Sequence, residues 1–211
     1  MDKNLKLVIE KRIERTVKAL REHNIDAQYI PDTQALLQKL GEYINEGTSC
    51  GVGGSMTLFE TGVIDYLRSS GCEYYGKAAS NTKDLISNYR QSFFCDVYVT
   101  SSNAITEDGE LYNVDGTGNR VAALTFGPSK VIVIAGANKI VRNLDEARRR
   151  IKYTAAPANN IRLEKPNPCV KTGVCMECRS PTNICITEVV TRGQSEKGRL
   201  TVLILPDSYG Y

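Results

Sequence analysis

Four of the seven cysteines in this 211-residue chain fall within seventeen residues of one another. Cys169, Cys175, Cys178 and Cys185 follow the spacing Cys-x5-Cys-x2-Cys-x6-Cys. The central Cys-x-x-Cys pair can present two thiolates to one metal, and the flanking cysteines are near enough in sequence to complete four ligands. Pro168 and Gly173 permit the turns that such wrapping needs. Four thiolates select zinc or an iron–sulfur cluster. Structural zinc more often uses two Cys-x2–4-Cys pairs, so the single pair with irregular flanks suits a 4Fe–4S cluster better. A redox-active thiol pair or a disulfide is the alternative, but it would leave two of the four without a role. Cys50, Cys72 and Cys95 are scattered among apolar residues and read as small buried side chains.

Two further groups of residues could hold a polar ligand. Gly53, Gly54, Ser55, Met56 and Thr57 lie between an expected strand and an expected helix. Glycines there let backbone approach a ligand, and the start of a helix favours an anion such as phosphate or carboxylate. The third glycine of the dinucleotide fingerprint and the Gly-Lys pair of the P-loop are both missing, so no nucleotide cofactor motif is present. Ser101, Ser102 and Asn103 close another strand, and Asp115, Gly116, Thr117, Gly118, Asn119 and Arg120 follow a hairpin. Small hydroxyl and amide side chains can orient a polar substrate, Arg120 can pair with its anion, and Asp115 is the candidate for proton transfer. The same residue types also build ordinary turns. Glu107, Asp108 and Glu110 sit in the hairpin turn and are expected in solvent. The single histidine, His23, ends the first helix, so hydrolase chemistry built on a histidine is disfavoured.

The elements that must position these groups alternate between helix and strand. Leu5, Ile9, Ile13, Val17 and Leu20 recur at helical spacing. A strand is expected over 25–30 and a helix capped by Asp32. A small-residue strand follows over 48–52, then a helix over 58–68, a strand over 72–75 and a helix starting at Asn81. Residues 95–106 alternate as a strand, which returns over 111–114 after the 107–110 turn. Arg120 to Leu124 reads as a short helical turn. Val131 to Ala135 is apolar throughout, as suits a strand covered on both faces. Asn143 and Glu146 form a cap-like pair for a helix to Tyr153, whose Arg148–Arg150 run is read as a solvated face. Residues 157–168 look irregular, and two final strand-like runs over 186–191 and 200–205 surround a Gly-bounded turn. The expectation is a single α/β domain over 1–211. Its central, mostly parallel sheet is flanked by helices within 1–155, and 156–211 forms a cysteine-bearing extension with a β-hairpin.

Hydrophobic residues make up 41% and charged residues 24%, an ordinary balance that argues against disorder. The net charge of +3 is too small to suggest nucleic-acid binding. No apolar run reaches bilayer length and the charged start lacks a signal-peptide core, so a cytoplasmic protein away from the membrane is expected.

Gly53-Gly54-Ser55-Met56-Thr57-Leu58, Thr100 to Ile105, Gly109-Glu110-Leu111, Asp115 to Val121, Lys130 to Gly136 and Asn138 to Val141 together resemble the lactate-utilization (LUD) domain family. The cysteine tail resembles a variant of it found in anaerobic bacteria. The resemblance implies a fold like glucosamine-6-phosphate deaminase, ribose-5-phosphate isomerase and the CoA transferases (NagB/RpiA/CoA transferase-like). Those enzymes bind substrates beside a glycine-rich strand-to-helix loop. Where a CoA transferase would show its catalytic glutamate, this chain has Ser-Ser-Asn. The resemblance further implies a small anionic metabolite as ligand, a role in lactate or related organic-acid utilization, and iron–sulfur partner subunits. A homodimer is common for this fold. Two alternatives stand beside it: an isomerase- or transferase-like enzyme acting on a sugar phosphate or CoA ester, and a non-enzymatic subunit or regulator of an iron–sulfur oxidoreductase.

Overall fold

Asp2 accepts hydrogen bonds from the backbone N–H groups of Asn4 (2.9 Å) and Leu5 (3.1 Å). It thereby caps the long first helix, α1 (Lys3–Glu22), which buries Ile13, Val17 and Leu20 as their spacing predicts. This computed structural model describes residues 2–76 and 82–211; Asn81, the expected helix start, lies outside the described residues. After α1 come β1 (Asp26–Tyr29), α2 (Thr33–Leu40), β2 (Ser49–Val52), α3 (Met56–Glu60), α4 (Val63–Ser69), β3 (Glu73–Tyr75), α5 (Thr82–Gln91) and β4 (Val97–Thr100). The chain continues with β5 (Ala104–Thr106), β6 (Leu111–Asp115), α6 (Asn119–Phe126), β7 (Lys130–Gly136), β8 (Ile140–Val141), α7 (Leu144–Arg150), α8 (Ala156–Arg162), α9 (Cys169–Thr172), β9 (Thr187–Thr191) and β10 (Leu200–Leu205).

Among the described residues these strands form two sheets. The central one has the order β1-β10-β7-β4-β2-β3, with every pairing parallel. Its middle strands are apolar on both faces. In β7, Val131, Val133 and Ala135 face the side covered by α1 and α6, while Ile132 and Ile134 face the side covered by α2, α3 and α4. The second sheet has the order β8-β5-β6-β9 and mixes parallel and antiparallel pairs. Ile105 and Leu111 join its inner face to the α1 side of the main core. Ala104 and Tyr112 pack its outer face against Ala147, Ile151, Ala155 and Ala156. The architecture is mixed α/β, with a central sheet, flanking helices and a C-terminal region of short elements.

Several expectations need correction. The last two strands do not form a hairpin. β9 pairs antiparallel with β6 on the second sheet, whereas β10 runs parallel between β1 and β7. The reason is burial. Every residue of β10 is buried, which only a central strand can provide, while β9 is half-exposed and suits an edge. Residues 95–106 form two strands in different sheets, because the chain changes sheet at Ser101–Asn103. The helix expected over 58–68 is broken at Gly62, whose φ of +75° is left-handed. Helix continues past Tyr153 through a π turn at Ile151–Ala155 into α8. Pro157 follows closely on the π turn, and the Lys152 carbonyl in that turn accepts from the Cys175 N–H at 2.8 Å.

Charged groups expected in solvent also find partners. Arg12 Nε and Arg15 Nη2 donate to Glu107 at 2.7 and 3.0 Å, and Arg192 pairs with Glu110 at 3.1 Å. Arg150 turns inward, donating to the carbonyls of Asn103 (2.7 Å) and Asn138 (3.1 Å). No helix among the described residues is long and apolar enough to cross a membrane.

Because β10 lies between β1 and β7, a fragment ending at residue 155 would lose the buried strand that joins β1 to the rest of the sheet. We expect residues 1–155 alone to lack dispersed amide signals in a two-dimensional NMR spectrum. A cooperatively folded fragment would show that the sheet closes without β10.

Candidate functional site

The carboxyl ends of β2, β4 and β7 point toward one side of the sheet, where an open α/β sheet offers a crevice. A cavity of about 200 Å³ lies there. Its wall is built from the loop before α3 (Gly54, Ser55, Met56), the chain leaving β4 (Ser101, Ser102, Asn103) and the β6–α6 loop (Asp115, Gly116, Thr117, Asn119, Arg120). The structure thus brings together on one cavity three segments that the sequence marks separately. Gly53, Thr57 and Gly118 do not line it. A Cβ on Gly53 would stand 2.5 Å from Thr100 Oγ1 and 2.8 Å from the Tyr98 hydroxyl, so close packing requires this glycine. Thr57 is buried behind the wall, donating to the Tyr209 carbonyl at 3.1 Å. Gly118 supplies the left-handed turn before α6, with φ +82°.

Many of the polar groups in this wall already serve the loops that carry them. Ser55 accepts from the Thr57 N–H at 3.2 Å and caps α3. Ser102 Oγ donates to the Ala104 carbonyl at 2.7 Å. Asn103 Oδ1 accepts from the Val114 N–H and from Arg120 Nη2, both at 2.9 Å. The Arg120 guanidinium also donates to Asn113 Oδ1 (2.6 Å), the Val114 carbonyl (2.8 Å) and the Ser101 carbonyl (3.2 Å), and its Nε lies 3.5 Å from Asp115. Asp115 accepts from the N–H groups of Thr117 (3.3 Å), Gly118 (3.4 Å) and Val121 (3.3 Å). Asp115 therefore holds the β6–α6 turn, and Arg120 braces the same loops.

Sequence reasoning assigned no role to Lys139, in the 3₁₀ turn Ala137–Lys139 that follows β7. The signal was its position one turn beyond a strand's carboxyl end. Lys139 lines the cavity yet is only 2% exposed. Its Nζ donates to Ser101 Oγ at 3.0 Å, and among the described residues it pairs with no carboxylate. Burial, followed by the nearby charges of Arg150 and Arg120, lowers its pKa to about 7. Arg150, itself half-buried, is lowered to about 10 by that burial. Tyr89, Asn159, Arg162 and Tyr211 add polar groups to the wall and were likewise not singled out. Tyr211 is carried there by a tail tied down by Asn138 Nδ2 to the Gly210 carbonyl (2.9 Å) and by the Gly210 N–H to Glu60 (2.6 Å).

The four clustered cysteines line a second cavity of about 410 Å³. The Glu177 N–H donates to Cys175 Sγ at 3.3 Å, and Glu177 has a φ of +50°, so the chain between Cys175 and Cys178 turns tightly around the sulfur. Burial, then the neighbouring thiols of Cys175, Cys169 and Cys178, raises the Cys185 pKa to about 11. All seven cysteines are free thiols. Among the described residues no group of three or more His, Cys, Asp or Glu side chains is placed to hold a metal ion. The four thiols stand around this one space.

The buried ammonium of Lys139 makes stability depend on pH. Its unfolded pKa is near 10.5 and its folded value is about 7. The unfolded chain binds the extra proton between these values, so the penalty is complete below about 7 and is relieved as pH rises toward 10.5. We expect Lys139→Met to raise the melting temperature more at pH 6 than at pH 9, by an amount worth ~3 kcal/mol at the acid end. Equal shifts at both pH values would remove the lysine as their source.

The LUD domain pattern matches residues 13–205 of the chain. A crystal structure of a DUF162 family protein from Deinococcus radiodurans is similar, with a TM-score of 0.51 and 13% identity over 95% of this chain and 98% of that one. At that identity the likeness concerns the fold alone. The ureidoglycine-glyoxylate aminotransferase of Bacillus subtilis overlaps 65% of this chain and 38% of its own, at 16% identity and a TM-score of 0.35, too low to carry an argument. No curated protein matches. The expected resemblance is thereby established at the level of the family, and the chain belongs to the LUD domain family.

Proposed function

We propose that this LUD-domain protein binds a small anionic metabolite, of the lactate or related organic-acid class, in the cavity beside Lys139. The observation that carries this reading is the charge of the wall. Lys139, Arg120 and Arg162 face the cavity against one carboxylate, Asp115, which three backbone N–H groups already hold. An anion entering there offsets the cost of burying the Lys139 ammonium. A volume of about 200 Å³ lies below the ~300–1,000 Å³ usual for larger ligands, and so favours a small acid over a CoA ester. The parallel sheet and the turn at residues 51–57 support a NagB/RpiA/CoA transferase-like arrangement. Lys139, with a pKa about 7, is a better candidate than Asp115 for moving a proton, because Asp115 is committed to its turn.

Calorimetric titration with lactate, pyruvate and inorganic phosphate tests this. We expect a carboxylate to bind, more tightly at pH 6 than at pH 8.5 because the anion favours the protonated amine. Lys139→Met should weaken it ~10- to 100-fold, the worth of a charge-assisted hydrogen bond. No binding by any of the three to folded protein, or unchanged affinity in the variant, would overturn the reading.

A second reading concerns the thiols. The four cysteines around one cavity and the N–H bond to Cys175 Sγ support a thiolate-held 4Fe–4S cluster or zinc, taken up as the 169–185 segment adjusts. Such a group would suit work with iron–sulfur partner subunits. Protein purified without oxygen should then show broad visible absorption and bound iron with sulfide, or colourless stoichiometric zinc. Neither metal in folded protein would leave these residues as plain thiols.

A further inference from the structure

Lys139 differs from the half-buried Lys130. Lys130 Nζ is satisfied by the Gly198 carbonyl and Thr201 Oγ1, both at 2.7 Å, and lies over the Tyr43 ring. Lys139 has one hydrogen bond among the described residues, to Ser101 Oγ at 3.0 Å, and its remaining positions belong to the cavity. The charged groups around it are Arg150, Arg120 and Glu60. Both arginines are bound elsewhere and contribute only their field. Glu60 is turned to the Gly210 N–H. A primary amine so placed is desolvated, flanked by cations and unpaired with an acid, which is how a lysine becomes a nucleophile. With a pKa about 7 it is largely the free amine at slightly alkaline pH.

We propose that Lys139 Nζ condenses with the carbonyl carbon of a small 2-oxo acid held in this cavity, forming an imine. The proposal rests on the anion-binding reading and narrows its ligand class. The nitrogen lone pair attacks the carbonyl carbon, and the C–N bond forms as the C=O π bond breaks to give a carbinolamine. The carbinolamine then loses its hydroxyl with a proton, so one water leaves for each imine formed. Nothing is oxidised or reduced. Ser101 Oγ, in contact with Nζ and 3.4 Å from Thr57 Oγ1, is placed to pass the proton between nitrogen and oxygen. The positive field of the two arginines favours the substrate carboxylate and keeps the amine from holding its own proton.

The test is reductive trapping. The full chain is incubated with pyruvate and sodium cyanoborohydride, and its peptides are mapped by mass spectrometry. We expect the reduced adduct on Lys139, rising in yield as pH climbs through about 7. Lactate, which has no carbonyl at C2, should bind without being trapped. Lys139→Arg, which keeps the positive charge, should lose the adduct, and Ser101→Ala should slow its formation about tenfold or more. Pyruvate binding in the calorimeter with no mass on Lys139 would overturn the imine and leave the binding reading standing. An adduct spread equally over surface lysines and unchanged in Lys139→Arg would also overturn it. Absence of binding by either acid would remove the anion-binding reading itself.

Discussion

The guanidinium of Arg120 sits where the chain leaves the main sheet for the second one, and the walls of the polar cavity depend on how it is satisfied. It donates to Asn113, Asn103 and the carbonyls of Ser101 and Val114 while its Nε faces Asp115. A buried cation costs several kcal/mol unless its donors are used, so these partners are not interchangeable. Its pKa is lowered by burial, opposed by the Asp115 charge. Withdrawing the guanidinium would take a donor from two carbonyls and two side-chain amide oxygens at once. The end of β4, the beginning of β5 and the end of β6 therefore hold one relative position, and the cavity is the space they enclose.

That demand explains why so many polar residues near the cavity are structural. Asn103, Ser102, Asp115 and Ser55 each spend their hydrogen bonds on backbone or on Arg120. Lys139 and Ser101 are less encumbered, and they arrive from different strands, β7 and β4. The rigid wall then does for Lys139 what no local sequence could do. It removes water and places two guanidinium charges nearby, while among the described residues no carboxylate pairs with the amine.

The two cavities are neighbours. Val114 faces both, and adjacent residues divide between them. Ala155 and Asn159 line the first cavity while Ala156 and Asn160 line the second, and Ile184 lines the first while Cys185 lines the second. The partition is one layer of α8 and one loop thick. Gly116 is tightly packed at this partition, because a Cβ there would stand 3.0 Å from Ile184 Cα and the loop would have to give by a few tenths of an ångström.

The sequence by itself determined the local elements. Helical spacing of Ile13, Val17 and Leu20, the caps Asp32 and Asn143, and the apolar run of β7 all depend on neighbours a few residues away. It also marked the three cavity segments, because turn glycines and small polar residues gather where strands end. Only the tertiary structure decided where β10 goes, since an apolar hexamer is equally content beside β9 or between β1 and β7 until the sheet's gap is known. It alone turned Arg150 from a solvated basic run into a half-buried, inward-facing donor, and gave Glu107 its two arginines. Lys139 shows the limit most plainly. Its chemistry comes from desolvation and from charges at residues 120 and 150, and those fields exist only once distant segments have packed around it.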